Sequence, residues 1–172
     1  MRRRLVIAIV AVLVGVGAAP EARPGGSKEA QIYVQVLRRY LGTPAENSFP
    51  GPAFTKVYVL DWAYPDAGDP GGKHDRGTPI TPDVQRRISA EVAGVAFVPG
   101  RESVTETKDG CAQLREGGIL MVLGPVGGDD HEVRVAVNGF VACLGATWLT
   151  YIVRNQRGGW RVTGTTGTMA IS

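Results

Sequence analysis

The sequence predicts an α+β domain in which two helices pack on a bent antiparallel sheet. Three observations carry this expectation. Two stretches before residue 95 repeat apolar residues at helical spacing, and from Gly118 onward the pattern is β for the rest of the chain. Short Gly-containing turns separate these late β segments, and short turns between successive strands make an antiparallel meander.

The chain opens with a segment of a different kind. Arg2, Arg3 and Arg4 form a positive start, and residues 5–19 that follow carry no charge. A spanning helix needs about 20 apolar residues, whereas the apolar region of a secretory signal runs about 7–15. Small residues crowd its end, and Val16-Gly17-Ala18 fits a cleavage site. Residues 1–19 therefore read as a signal peptide or, uncleaved, as a membrane anchor. In either case the rest of the chain is expected to be secreted or held at the outer face of the cytoplasmic membrane. Residues 20–26 read as a tether, and residues 27–172 as a single domain.

Ser27 is placed to cap a first helix running to about Leu41. Ala30, Tyr33, Val34, Leu37 and Leu41 give it one apolar face, and Gly42 and Pro44 end it. Residues 43–53 are turn-rich. Residues 56–62 are β-rich, with Val57, Val59 and Asp61 on one side and Tyr58, Leu60 and Trp62 on the other. Residues 63–80 hold so many Gly and Pro that they read as one long loop, and loops of that length inside a domain are usually functional or disordered. Thr81 and Pro82 then open a second helix with Val84, Ile88 and Val92 on its buried face. Strands follow at 95–98 and at about 103–107. Four more are predicted at 119–123, 132–143, 147–154 and 160–165.

Charge narrows the partner classes. The net charge of +3 comes from 19 Lys and Arg against 16 Asp and Glu. With Arg2, Arg3 and Arg4 set aside, basic and acidic residues balance at 16 each. A neutral domain lacks the phosphate-neutralising excess that nucleic-acid binding requires, and contact with a membrane is expected only through the N-terminal segment.

Two cysteines in an exported chain invite a disulfide. If residues 126–128 form a hairpin loop, Pro125 pairs with Asp129 and Cys143 falls opposite Cys111. The same register puts Ile119, Met121, Leu123, Val133, Val135, Val137 and Val141 on the face of Cys143. The alternative is two separate buried thiols. No Cys-x-x-Cys redox pair exists.

No nucleophile elbow, phosphate loop or dinucleotide fingerprint is present, so no catalytic residue and no cofactor is assigned. His131-Glu132 begins a zinc-helix motif, but Val135 stands where the second His belongs. Two weaker groupings remain. His74 lies in the long loop beside Asp75 and near Asp66 and Asp69, and Asp129, Asp130 and His131 form a second polar cluster. If the two loops met, His74, Asp129, Asp130 and His131 would supply one metal site. The other grouping is aromatic: Trp62, Phe140, Trp148, Tyr151 and Trp160, with Asp61 as the one carboxylate among them, would line an apolar pocket on a curved sheet. The expected function is binding of a small apolar ligand or an envelope protein. A small hydrolase or metal-dependent enzyme is the alternative.

The run Thr147-Trp148-Leu149-Thr150-Tyr151, followed by Gly159-Trp160-Arg161-Val162-Thr163-Gly164-Thr165-Thr166-Gly167, resembles the end of uncharacterised exported proteins of high-GC bacteria. Asp109-Gly110-Cys111 and Leu123-Gly124-Pro125 are similar to the same group, which implies no activity. A meander ending in a Gly-Gly-Trp-x-Val strand more loosely resembles the NTF2-like and cystatin-like folds. That likeness implies a shape, a helix packed on a bent antiparallel sheet, and nothing about chemistry.

Overall fold

A computed structural model describes residues 27–49, 54–157 and 159–172. The signal or anchor segment and the tether expected at residues 1–26 lie outside the described residues. Among those described, no helix is long and apolar enough to cross a membrane.

The chain runs α1 (Lys28–Gly42), α2 (Pro44–Asn47), β1 (Val57–Leu60), β2 (Trp62–Ala63), β3 (Thr78–Pro79), α3 (Pro82–Glu91) and β4 (Val95–Val98). A 3-10 turn at Arg101–Ser103 leads to β5 (Thr105–Lys108), β6 (Cys111–Leu114), β7 (Ile119–Leu123) and β8 (Gly127–Gly128). Three long strands close the chain: β9 (Glu132–Ala142), β10 (Gly145–Gln156) and β11 (Gly159–Ile171). The main sheet has the order β11-β10-β9-β7-β1-β4, with the β5–β6 hairpin and β8 attached beside β9.

This architecture corrects the expected fold class. The molecule is mostly β, with three α-helices among the described residues and a large mixed sheet. The NTF2-like or cystatin-like arrangement of two helices on an antiparallel meander does not hold. β9, β10 and β11 do pair antiparallel, but β1 pairs parallel with both β4 and β7. The reason is connectivity. The turn rule reads only neighbouring strands, whereas β1 reaches β4 through α3, and a parallel pair requires such a crossover. The long loop and α3 thus make one crossover unit, which sets β4 beside β1 at the end of the strand order.

The helical ends follow the local chemistry. The Ser27 side chain accepts from the Ala30 N–H, and the Thr81 side chain accepts from the Val84 N–H ahead of Pro82. Pro44 does not merely stop α1; it opens the one-turn helix α2.

Two apolar layers sandwich the sheet. On one face, α1 and α3 cover Val57, Val59, Ile119, Met121, Val135, Val137, Leu149 and Tyr151. Here α1 is buried more broadly than its predicted stripe, since Ile32, Val36 and Tyr40 are as inaccessible as Tyr33 and Leu37. Three phenols tie this layer to its surroundings. Tyr33 Oη donates to the Gly124 carbonyl at 3.0 Å, Tyr40 Oη meets Thr147 Oγ1, and Tyr151 Oη donates to Glu46 at 2.8 Å. On the other face, Leu60, Leu120, Val122 and Phe140 are covered by Ala67 of the long loop and Leu114 of β6. The long loop is therefore part of the core.

Cys111 and Cys143 stand at disulfide distance, with Cα atoms 5.4 Å apart. The register that led to this pairing is different in detail. Leu120 pairs with Phe140 and Met121 with Gly139, and the tight turn is closed by the Asp129 N–H on the Glu132 carbonyl. The shift from the expected pairing is an even number of residues. An even slip keeps each side chain on its face, so the expected core of Ile119, Met121, Leu123, Val133, Val135 and Val137 is found intact.

Candidate functional site

The loop between β2 and β3 builds one wall of a cleft. Its backbone folds through successive turns: the Ala67 N–H donates to the Tyr64 carbonyl, the Asp69 N–H to Asp66, and the Gly72 N–H to Asp69. Asp66 Oδ2 reaches forward to accept the His74 N–H at 2.9 Å. Gly72 lies so close to Asp66 that a Cβ there would collide with it. His74 holds a left-handed backbone, with φ of 51°. The loop is pinned to the sheet by the Tyr64 N–H on the Leu123 carbonyl and by Gly68 against Thr150 and Ala136.

The facing wall is the turn after β4, Pro99 to Glu102. Arg115 braces it by donating to the carbonyls of Ser103 and Glu102. Arg101 sets its guanidinium over the Phe140 ring, 3.8 Å from the centroid. The Glu102 carboxylate folds back over Gly100. Leu60, Asn138 and Trp148 form the floor, and Asn138 is fixed by its Nδ2 donating to the Thr147 carbonyl at 3.0 Å. The cleft encloses about 420 Å³, within the range of small-molecule sites.

Its electrostatics are distinctive. Burial pulls the His74 imidazole below its ordinary value of 6.5, the Asp66 carboxylate opposes this, and Arg101 adds to it. His74 is therefore neutral at neutral pH. Burial alone would raise the Asp66 carboxyl, but the His74 N–H and imidazole more than offset it and hold that carboxyl below its usual range. Burial also lowers the Arg101 guanidinium. Tyr64 is pushed up, first by burial and then by the carboxylates of Asp61, Glu102 and Asp66 that surround it. Among the described residues, the buried side-chain polar atoms without a hydrogen-bond partner are Asp61 Oδ1, Asp66 Oδ1 and His74 Nε2. Of these residues His74 lines the cleft; Asp61 and Asp66 are not in its lining, and their carboxylates act on Tyr64, whose ring lies 5.3 Å from that of His74.

The predicted site residues are distributed differently from the expectation. Phe140 and Trp148 belong to the cleft face of the sheet, while Tyr151 and Trp160 belong to the helical face. Successive sheet residues alternate faces, so aromatics on β9, β10 and β11 do not converge. Trp160 instead lines a separate depression of about 370 Å³ with Gln31, Arg87 and Arg161. Trp62 is 40% exposed on the small β2–β3 ribbon. Asp61 sits behind the cleft wall, its backbone bonded to Val98 and Ile80.

The two polar loops do not join. His74 lines the cleft beside Asn138, and about 20 Å of extended strand separates Asn138 from His131. Asp129 Oδ1 is occupied by the N–H groups of His131 and Glu132, and Asp130 by Lys28 at 2.9 Å. No group of three or more His, Cys, Asp or Glu suited to a metal occurs among the described residues. Arg101, Lys73, Tyr64 and Asn138 were not singled out from the sequence. Each carries no motif; Lys73 and Tyr64 share the long loop with His74, and only the tertiary fold brings Arg101 of the turn after β4 and Asn138 of β9 to the same cleft. Comparison with known proteins finds no family model, no curated protein and no solved structure similar to this chain.

Proposed function

We propose that the protein is an exported binding module that holds a small ligand in the cleft between the long loop and the turn after β4. One observation carries this reading: His74, which lines that cleft, has a buried Nε2 with no hydrogen-bond partner among the described residues. An unpaired buried polar atom costs about 1–3 kcal/mol, and at a residue lining a cleft a ligand can supply the missing partner. The Cys111–Cys143 pair fits an oxidising compartment, as does the reading of residues 1–19 as a signal or anchor.

Binding is favoured over hydrolysis by the composition of the cleft. Its lining includes no Ser, Thr or Cys nucleophile. Asp66 meets the backbone of His74, whereas a catalytic dyad would need it on the ring. The lining is also more polar than the apolar pocket expected from the aromatic residues, so a purely apolar ligand is disfavoured.

The test is a screen of a diverse library of small polar compounds by two-dimensional NMR on the isotope-labelled full chain. Hits are expected to move the indole signal of Trp148 and the ring signals of His74. Hits that move only Trp160 and its neighbours, or no hits at all, would remove this reading.

A further inference from the structure

Resting on the cleft as the binding site, we infer that its ligand is a carboxylate-bearing ring about the size of a single sugar or a single aromatic ring. Eight ion pairs are formed among the described residues, and neither Arg101 nor Lys73 takes part in any of them. Lys73 is an exposed side chain at the mouth of the cleft and can remain solvated there. Arg101 is also exposed, but its guanidinium is held over the Phe140 ring and is paired with no carboxylate among the described residues. A guanidinium oriented by stacking presents its remaining N–H groups as a fork, and that fork fits a carboxylate in bidentate fashion.

The rest of the cleft describes the body of the ligand. Tyr64 and Trp148 are both in the lining and supply aromatic surface suited to the face of a ring. Glu102 is also in the lining and has no ion pair among the described residues. Its carboxylate lies against Gly100 and can accept hydroxyl groups of a ligand. The neutral His74 and the Asn138 amide add hydrogen-bonding groups without adding charge. Among the lining residues themselves Lys73 and Arg101 outnumber Glu102, while the carboxylates of Asp61 and Asp66 belong to residues outside the lining, near Tyr64. The cavity volume sets the size.

Four probes decide the matter: glucuronate with its neutral counterpart glucose, and benzoate with its neutral counterpart benzyl alcohol. Each is titrated into the full chain by NMR and by the fluorescence of Trp148. At least one acid is expected to bind at least tenfold more tightly than its counterpart and to weaken as salt rises. Which of the two pairs responds distinguishes a sugar acid from an aromatic acid. Arg101→Gln is expected to weaken the acid about tenfold or more, the scale of one charge-assisted hydrogen bond. Lys73→Gln, at an exposed position with no packing role, is expected to cost a few-fold and to flatten the salt dependence even if Arg101→Gln misfolds. Equal shifts from an acid and its neutral counterpart would overturn the carboxylate assignment while leaving the binding role of the cleft in place. Silence from all four probes, while library compounds still move Trp148 and His74, would overturn the assignment in the same way.

Discussion

His74 is the residue at which solution pH should act on the fold. Its folded imidazole titrates below the ordinary 6.5 because burial opposes its charge. As pH falls below about 6.5 the unfolded chain takes up a proton that the folded chain refuses. Stability is therefore fully present above that pH and is lost from there down to the folded value. The thermal midpoint is expected to fall between pH 7 and pH 5, and His74→Gln is expected to flatten that slope. An NMR titration checks the cause directly, with His131→Asn used to assign the two imidazoles. A His74 ring titrating at or above 6.5 would reverse the sign of the argument. This site was half legible in the sequence. His74 and Asp66 were visible as residues capable of chemistry in a long loop. Arg101, Tyr64 and Asn138 were not, because their roles come from the neighbours that β4 and β9 give them.

At the level of elements, the seam between α1 and the sheet is where packing tolerates least. Tyr40 is wholly buried, its hydroxyl meets Thr147 across the seam, and β9 makes room for it with Gly139. A Cβ at Gly139 would run into the Tyr40 hydroxyl and ring. Gly139→Ala is expected to cost about 1–3 kcal/mol through overpacking, measured as a lowered urea midpoint at unchanged slope. Gly164, on β11, is the matched control, since nothing lies within 4 Å of its Cβ direction. Gly164→Ala should stay within about 0.5 kcal/mol of the parent. Equal effects at the two positions would show that strand glycine content matters here and close packing does not. Elements of this length were read well from the sequence: the Ser27 and Thr81 caps, the apolar faces of both long helices and strands β9 and β10 stand close to where they were expected, whereas β11 runs on to Ile171, past the expected end at residue 165. The short pieces β2, β3, β6 and β8 were not, because two to four residues hold no periodicity and take their strand geometry from a partner.

For the whole molecule, the bridge from Cys111 to Cys143 fastens the β5–β6 hairpin to the far end of β9, closing a loop across a sequence separation of 32. Loop-closure entropy at that length corresponds to about 3–4 kcal/mol. Reduction, or Cys143→Ser, is expected to lower the unfolding free energy by about that amount. Intact mass should rise by two hydrogens on reduction, and an unchanged mass would remove the bridge. Local order in the chain determines the caps, the helical and β periodicities, the shared face of Ile119, Met121, Leu123, Val133, Val135 and Val137, and the neutrality of residues 27–172 once the leading arginines are set aside. Face survived even where register did not, because side-chain alternation has a period of two and the slip was even. Only the tertiary structure decided that β1 lies parallel between β4 and β7, that the aromatic residues divide between two faces, and that the long loop closes over the sheet to set His74 opposite Arg101. Those outcomes depend on pairing between segments far apart in the chain. Burial of a shared apolar face selects such pairings, and no short window of residues encodes them.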